Sequence, residues 1–448
     1  MMEMNKLLAI IILSAATLNT SAQTQQTQNP QKSWSLRECI DYAITHNISI
    51  QQSKITADQS AVDVNTAKWA RLPNLSGSAG ENWTFGRTTS PVNNTYSDIN
   101  TANTSLSINT SIPLFTGLRL PNQYALAKLN LKADLADLEK AKEDLSINVA
   151  SYYLQTLLNE ELSIVAQNQV ALAQEQLQRI NKLYELGKSA PAELAEAKAT
   201  LSQDELSAVQ ADNTYKLSLL DLSQLLELPT PDGLTLVYPQ NKLVLTKLTP
   251  PDDIYTQAIY SKSSVIAAKY RLEGSAKSII IAKSAYLPEL SLNAGLGSNY
   301  YTISGTSSKS FSSQMKNNLN KYIGLSLSVP IFNRFSTRNQ VRSMRLQRQN
   351  YALQLDQTKK TLYKEIQQAW YNALAAESKY TSSEAAAKAS EESFKLMSEK
   401  YEYGKATAVE YVEAKTNLKK AQSDKIQAKY DYLFRTKILD FYKGQPIE

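Results

Sequence analysis

The sequence predicts a mainly α-helical chain with a smaller β-strand part, built from one helix–strand–strand–helix–helix unit used twice. Three observations predict it. First, Tyr184-Glu185-Leu186-Gly187-Lys188 recurs as Tyr401-Glu402-Tyr403-Gly404-Lys405, and Glu193, Glu196 and Lys198 recur as Glu410, Glu413 and Lys415, all at an offset of 217 residues. Second, two long stretches keep the three- and four-residue apolar spacing of a helix without interruption. Third, four shorter runs alternate apolar and small polar residues, the period of a strand.

The repeat reaches beyond that motif. Ala67-Lys68-Trp69-Ala70-Arg71-Leu72-Pro73-Asn74-Leu75-Ser76 matches Ala282-Lys283-Ser284-Ala285-Tyr286-Leu287-Pro288-Glu289-Leu290-Ser291 at an offset of 215. Ser111-Ile112-Pro113-Leu114-Phe115 matches Ser328-Val329-Pro330-Ile331-Phe332 at 217. An offset that drifts by two residues over separate blocks marks a duplication of half the chain, not a solenoid of short repeats.

The N-terminus reads as a secretory signal over residues 1–22. Lys6 opens it, Leu7–Leu13 is its apolar core, and Thr20-Ser21-Ala22 is a small-residue cleavage site. That core is far short of the roughly 20 apolar residues a spanning helix needs. A polar, Gln-rich leader follows. The boundaries expected are 23–227 for the first unit, 228–249 for a Pro/Leu-rich connector and 250–448 for the second unit.

Ser35-Leu36-Arg37-Glu38 has the spacing of a capping box and opens a helix to about His46; a second helix runs from Ile48 to Ala70. Pro73 ends that pattern. A strand follows with Leu75, Ala79 and Trp83 on one parity and Ser76, Ser78 and Asn82 on the other. Thr88–Asn103 reads as a loop. The next strand sets Leu106, Ile108 and Ile112 against Ser107, Asn109 and Ser111. From Asn122 to Ala190 there is no proline, so about 65 residues form a helix near 100 Å long. Gly187 turns the chain, because glycine takes the left-handed conformation that ends a helix. Pro191 starts the return helix in its permitted first turn.

The second unit repeats the plan. Helices cover about Ile254–Ser284. A strand sets Leu290, Leu292 and Leu296 against Ser291, Asn293 and Gly295, and Thr302–Lys321 reads as a Ser-rich loop. The fourth strand sets Ile323, Leu325, Leu327, Val329 and Ile331 against Gly324, Ser326 and Ser328. Long helices follow over about Arg338–Tyr403 and Ala408–Tyr442. The strand register puts Ile108, Leu292 and Leu327 on an apolar face, and Asn109, Asn293 and Ser326 on a polar one. This is the pattern of a barrel with lipid outside and water inside. Four strands cannot close alone, and an open edge is not tolerated in lipid, so copies of the chain must share a barrel. Periodicity does not choose the number of copies.

This plan resembles the outer-membrane efflux protein family typified by TolC, from about Trp34 to Gly444. The two Tyr-Glu-x-Gly-Lys tips, the Leu-Pro-x-Leu-Ser strand starts and the Pro-x-Phe strand exits carry the resemblance. It implies a homotrimer in the outer membrane: a shared twelve-stranded barrel in the lipid, and helices forming a periplasmic α-barrel. It also implies an exit duct for efflux or type I secretion, working with a periplasmic adaptor and an energised inner-membrane pump. The tips Gly187, Lys188, Gly404 and Lys405 would dock the adaptor. Glu413 and Glu410, on the returning helix of the second unit, would ring the periplasmic constriction, with Glu193 and Glu196 as their first-unit counterparts. Glu410 is also the last residue of a capping box that starts at Thr407. The arginine the family often carries two residues after the tip glycine is absent: Ala406 stands there, beside Lys405.

No catalytic constellation, phosphate loop or metal-ligand cluster is legible. The one histidine, His46, and the one cysteine, Cys39, each stand alone on a helix. The net charge is +6, and the basic residues are spread along the chain, which gives no reason to expect nucleic acid. No cofactor is expected. The rival reading is a soluble periplasmic coiled-coil adaptor or scaffold, in which the alternating runs form a small sheet.

Overall fold

The computed structural model describes residues 33–89, 95–239 and 248–447. The expected signal segment, most of the leader and residues 240–247 of the connector lie outside the described residues. In chain order the elements are β1 (Ser33–Trp34), α1 (Leu36–His46), α2 (Ile48–Trp69), β2 (Asn74–Thr84), β3 (Arg87–Thr89), β4 (Tyr96–Asp98), β5 (Thr101–Thr116), α3 (Arg119–Glu185) and α4 (Pro191–Leu225). The second half holds β6 (Thr235–Leu236), α5 (Pro251–Ser261), α6 (Ser263–Ser284), β7 (Glu289–Ile303), α7 (Phe311–Asn317), β8 (Asn320–Ser328), α8 (Ser336–Glu402) and α9 (Ala408–Tyr442).

The duplication is legible in these bounds. α3 and α8 are each 67 residues long, and α4 and α9 each 35; both pairs begin and end 217 residues apart. α1 and α2 map onto α5 and α6 at 215. A 67-residue helix is about 100 Å long. Even the entry into these helices repeats. Gly117 and Leu118 precede α3 at φ 59° and 67°; Arg334 and Phe335 precede α8 at φ 53° and 61°. At Gly117 only glycine fits, since a Cβ there would stand 2.7 Å from the Ser284 carbonyl oxygen.

One four-stranded antiparallel sheet has the order β2–β5–β7–β8, so the units meet at β5–β7. Its register pairs like with like. One face carries Ala79–Leu106, Ile108–Leu296 and the row Ile112–Leu292–Leu325. The other carries Ser78–Ser107, Asn109–Gly295–Tyr322 and Ser111–Asn293–Gly324. On the polar face the Tyr322 hydroxyl donates to Asn109 Oδ1 at 3.1 Å across Gly295, where a Cβ would stand 2.8 Å from the tyrosine ring. Ile108, Leu292 and Leu327 thus share one face, and Asn109, Asn293 and Ser326 the other.

The main core lies away from the sheet, where α1, α3 and α4 meet. Leu157, Leu222, Leu226 and Val149 are fully buried there. Cys39 is buried in the same cluster. The Tyr153 hydroxyl donates to the carbonyls of Trp34 (3.0 Å) and Val237 (2.6 Å), fastening the short parallel pair β1–β6 onto α3. Burial raises the Tyr153 pKa, so the hydroxyl stays a donor.

Three expectations need correction. The Thr88–Asn103 stretch is not all loop: β3 and β4 form a small hairpin, and β5 starts at Thr101. The Ser-rich stretch after β7 contains the helix α7. Gln314 on α7 accepts from the Tyr301 amide (3.0 Å) and donates to its carbonyl (2.9 Å), so one side chain takes the place of a strand neighbour along β7. Finally, β8 stops at Ser328 and leaves out Val329 and Ile331. Pro330 has no amide to give to a ladder. The first unit passes the equivalent Pro113 with a bulge between Pro113 and Phe115.

Candidate functional site

The tips are built alike. Gly187 and Gly404 have φ of 69° and 68°. The amides of Gly187 and Lys188 donate to the carbonyls of Tyr184 (2.9 Å) and Leu183 (2.8 Å); those of Gly404 and Lys405 donate to Tyr401 (3.1 Å) and Lys400 (2.8 Å). This is the paired closure that ends a helix on a left-handed glycine. It leaves Lys188 and Lys405 exposed at the ends of the hairpins.

The four tip carboxylates are not equivalent. Glu410 closes the capping box: the Thr407 amide donates to Glu410 Oε2 at 2.8 Å, and the Glu410 amide donates to Thr407 Oγ1 at 3.3 Å. That backbone hydrogen bond, then the one from the Thr407 hydroxyl, holds the Glu410 carboxyl below its ordinary pKa. Glu193 accepts a short hydrogen bond from the Ser189 hydroxyl. Glu193 and Glu196 line a cleft between the two hairpins, together with Tyr401, Tyr411 and Lys415. Glu413 is exposed, one turn beyond the capping box, and among the described residues no ion pair or hydrogen bond is made to its side chain. The structure therefore separates Glu413 from the other three by surroundings that sequence spacing does not reveal.

Several contacts across the cleft join the units. Arg179 Nη2 donates to the Glu402 carbonyl at 3.1 Å, and its guanidinium lies 5.4 Å from the centre of the Tyr401 ring. On the second unit's side of the cleft, Tyr401 stacks on Tyr411 at 4.8 Å. Lys415 Nζ stands 2.8 Å from Asp204 Oδ2, with Lys419 3.4 Å from the other oxygen. No reading of single residues finds these contacts. The only signal is the repeat itself, which marks Lys415 as the partner of Lys198.

At the other end, the sheet leaves both edges open. Every residue of β8, and every residue of β2 except Thr84, is exposed. Among the described residues no helix is long and apolar enough to cross a membrane, and no cluster of side chains could hold a metal ion.

A family model described as "Outer membrane efflux protein" matches residues 39–227 and 254–444, one stretch in each unit. The chain belongs to the outer membrane efflux protein family. The outer membrane efflux protein BepC of Brucella suis is 22% identical over 426 residues, spanning 94% of this chain and 86% of BepC. The outer membrane protein TolC of Escherichia coli is 23% identical over 438 residues, 96% of this chain and 84% of TolC. Among solved structures, the outer membrane protein VceC of Vibrio cholerae superposes with a TM-score of 0.76 at 18% identity, over 92% of this chain and 97% of VceC. The CmeC outer membrane channel of Campylobacter jejuni gives 0.77 at 21% identity, over 92% and 86%.

As a member of this family the chain is an outer-membrane channel protein of efflux, with its long helices in the periplasm, and not an enzyme. The alternative of a soluble scaffold falls with that assignment.

Proposed function

We propose that three copies of this chain form one exit duct through the outer membrane, fed by a periplasmic adaptor and an energised inner-membrane pump. The observation that carries this reading is the incompleteness of the repeat. Inside the chain, α3 of the first unit packs along α6 of the second, as in the hydrogen bond of the Ser263 hydroxyl to Glu143 (3.0 Å) and the pairing of Arg271 with Asp137. The counterparts of these helices, α8 and α2, do not pair in this way: α8 packs on α6 and α9, α2 packs on α3, and each leaves an apolar stripe exposed. On α2, Ile48, Ile55, Val62 and Trp69 are exposed at seven-residue spacing; on α8, Leu346 and Leu353 are exposed at the same spacing. A neighbouring copy that set its α2 against α8 would repeat the internal packing and bury both stripes. The same step joins β8 to the neighbour's β2 and removes both edges from lipid. Three copies of four strands make the twelve-stranded barrel of the resemblance.

In this duct the face with Asn109, Asn293 and Ser326 lines the water-filled lumen, and the face with Ile108, Leu292 and Leu327 meets lipid. The exposed tips around Gly187-Lys188 and Gly404-Lys405 are the adaptor-docking points. Glu413 is the principal carboxylate of the constriction, with Glu410, Glu196 and Glu193 behind it. Mass photometry in mild detergent tests the assembly: one species at three times the protomer mass is expected, and stable monomers at working concentration would refute it.

A further inference from the structure

The basic residues are spread over most of the chain, but not at the start of α8. Arg334 stands just before α8, Arg338, Arg342, Arg345 and Arg348 fall in its first turns, and the first carboxylate on α8 is Asp356. Spacings of four and three residues place Arg338, Arg342 and Arg345 on one helix face. All three are exposed, and among the described residues no carboxylate pairs with them. Other arginines do find carboxylates: Arg119 with Glu289, Arg271 with Asp134 and Asp137, Arg435 with Asp431. The stripe is no product of the duplication either. At an offset of 217 its three positions fall on Pro121, Ala125 and Lys128.

Its setting points to a ligand. The apolar face of β8 carries Ile323, Leu325 and Leu327, exposed by 65–76%. Below it Ile331 and Phe332 are more than 70% exposed. Phe332 meets Phe335 edge to face at 5.6 Å, and the Arg338 guanidinium lies 6.0 Å from the Phe335 ring centre. Along the direction from membrane to periplasm the surface therefore changes from aliphatic to aromatic to guanidinium. That is the order of a membrane–water boundary: rings sit at headgroup level and cations just outside it. Phe335 and Arg334 hold left-handed backbone conformations to make this turn, which side chains larger than glycine rarely adopt.

We propose that Phe332, Phe335, Arg338, Arg342 and Arg345 form a collar that binds the phosphate headgroups of anionic phospholipid in the periplasm-facing leaflet. The proposal uses the outer-membrane location given by the family. Guanidinium groups suit phosphate oxygens through paired hydrogen bonds, and each cation of a basic segment beside a membrane adds to its attraction for anionic lipid. The rings fix the height of the helix, so the arginines meet headgroups without entering the hydrocarbon. The competing occupant is a second copy of the chain, whose α2 exposes Asp58 and Asp63.

The test is native mass spectrometry of the purified full-length oligomer, incubated with phosphatidylglycerol and phosphatidylcholine of the same acyl chains in equal amounts. Wild type should carry phosphatidylglycerol in preference to phosphatidylcholine by about a hundredfold, as three additive cations imply. The triple variant Arg338→Gln/Arg342→Gln/Arg345→Gln should lose the preference and keep its oligomeric mass. The corresponding triple lysine variant should keep most of the preference, which shows that charge at these positions is what acts. Equal uptake of both lipids by wild type would overturn the proposal, as would a glutamine variant that still prefers phosphatidylglycerol. Dissociation of the glutamine variant into monomers would also overturn it, by placing the stripe between copies of the chain.

Discussion

Lys415 on α9 reaches Asp204 on α4 at 2.8 Å, and this buried pair ties the second hairpin to the first. Both side chains are about nine-tenths covered, and Lys415 Nζ also stands 3.5 Å from the Gln169 carbonyl on α3. A buried charge without its partner is far costlier than the pair is favourable. Asp204→Asn should therefore destabilise the protein by about 3–5 kcal/mol, read as a lower denaturant midpoint of the helical part. The double variant Asp204→Leu/Lys415→Met should recover most of the loss. If the single variant unfolds at the wild-type midpoint, the pair is not what joins the hairpins.

The pair also shows where sequence reading stops. The repeat equates Lys415 with Lys198, yet Lys198 is exposed while Lys415 is buried, because the position equivalent to Asp204 is Ala421. Elements set by local spacing were legible: the four long helices, both glycine turns and the sheet's two faces all depend on residues a few positions apart. Contacts fixed by packing between units were not, and neither was α7, whose place depends on Gln314 meeting the free edge of β7. The tip carboxylates divide in the same way. The capping box of Glu410 could be read from Thr407, whereas the cleft that takes Glu193 and Glu196 is formed only when both hairpins are in place.

The cap at Glu410 carries a pH dependence. Its carboxyl is held below the ordinary value of 4.5 by the Thr407 amide first and the Thr407 hydroxyl second. A carboxyl depressed in the folded state stabilises it fully above the unfolded value, and that contribution is lost as pH falls from 4.5 through the lowered one. Amides at the start of α9 should therefore exchange faster, relative to the intrinsic rate, at pH 3 than at pH 6. Glu410→Gln should remove most of that difference. Equal protection at both pH values in wild type would refute the role of the ionised cap.

The two faces of the sheet can be told apart by chemistry. Single-cysteine variants at Asn109, Asn293 and Ser326 should react with a polar thiol reagent from the lumen, and variants at Ile108, Leu292 and Leu327 should not. The pairing register leaves no intermediate result, since a slip of one residue moves every side chain to the other face. The buried Cys39 is first replaced by Ala or Ser to silence the background. Equal labelling of both sets would mean that the apolar face does not meet lipid.

The last expectation concerns Glu413. It is the tip carboxylate with neither a cap to close nor a cleft to line, and it lies on the helix that the family resemblance turns toward the pore. Three copies about a three-fold axis would bring three carboxylates into one narrow passage. A negative ring there draws cations, and a polyvalent cation can bridge its members. Currents across planar bilayers should thus be cation-selective in wild type and blocked by a trivalent cation added on the periplasmic side. Glu413→Ala should lose most of the block. Glu410→Ala should lose less, because that carboxylate is committed to Thr407 through hydrogen bonds of 2.8 and 2.9 Å. Glu196→Ala should lose less still, because Glu196 lines the cleft with Tyr401 and Lys415 and stands behind Glu413. Unchanged block and selectivity in Glu413→Ala would remove it from the constriction and make Glu410 the next residue to test.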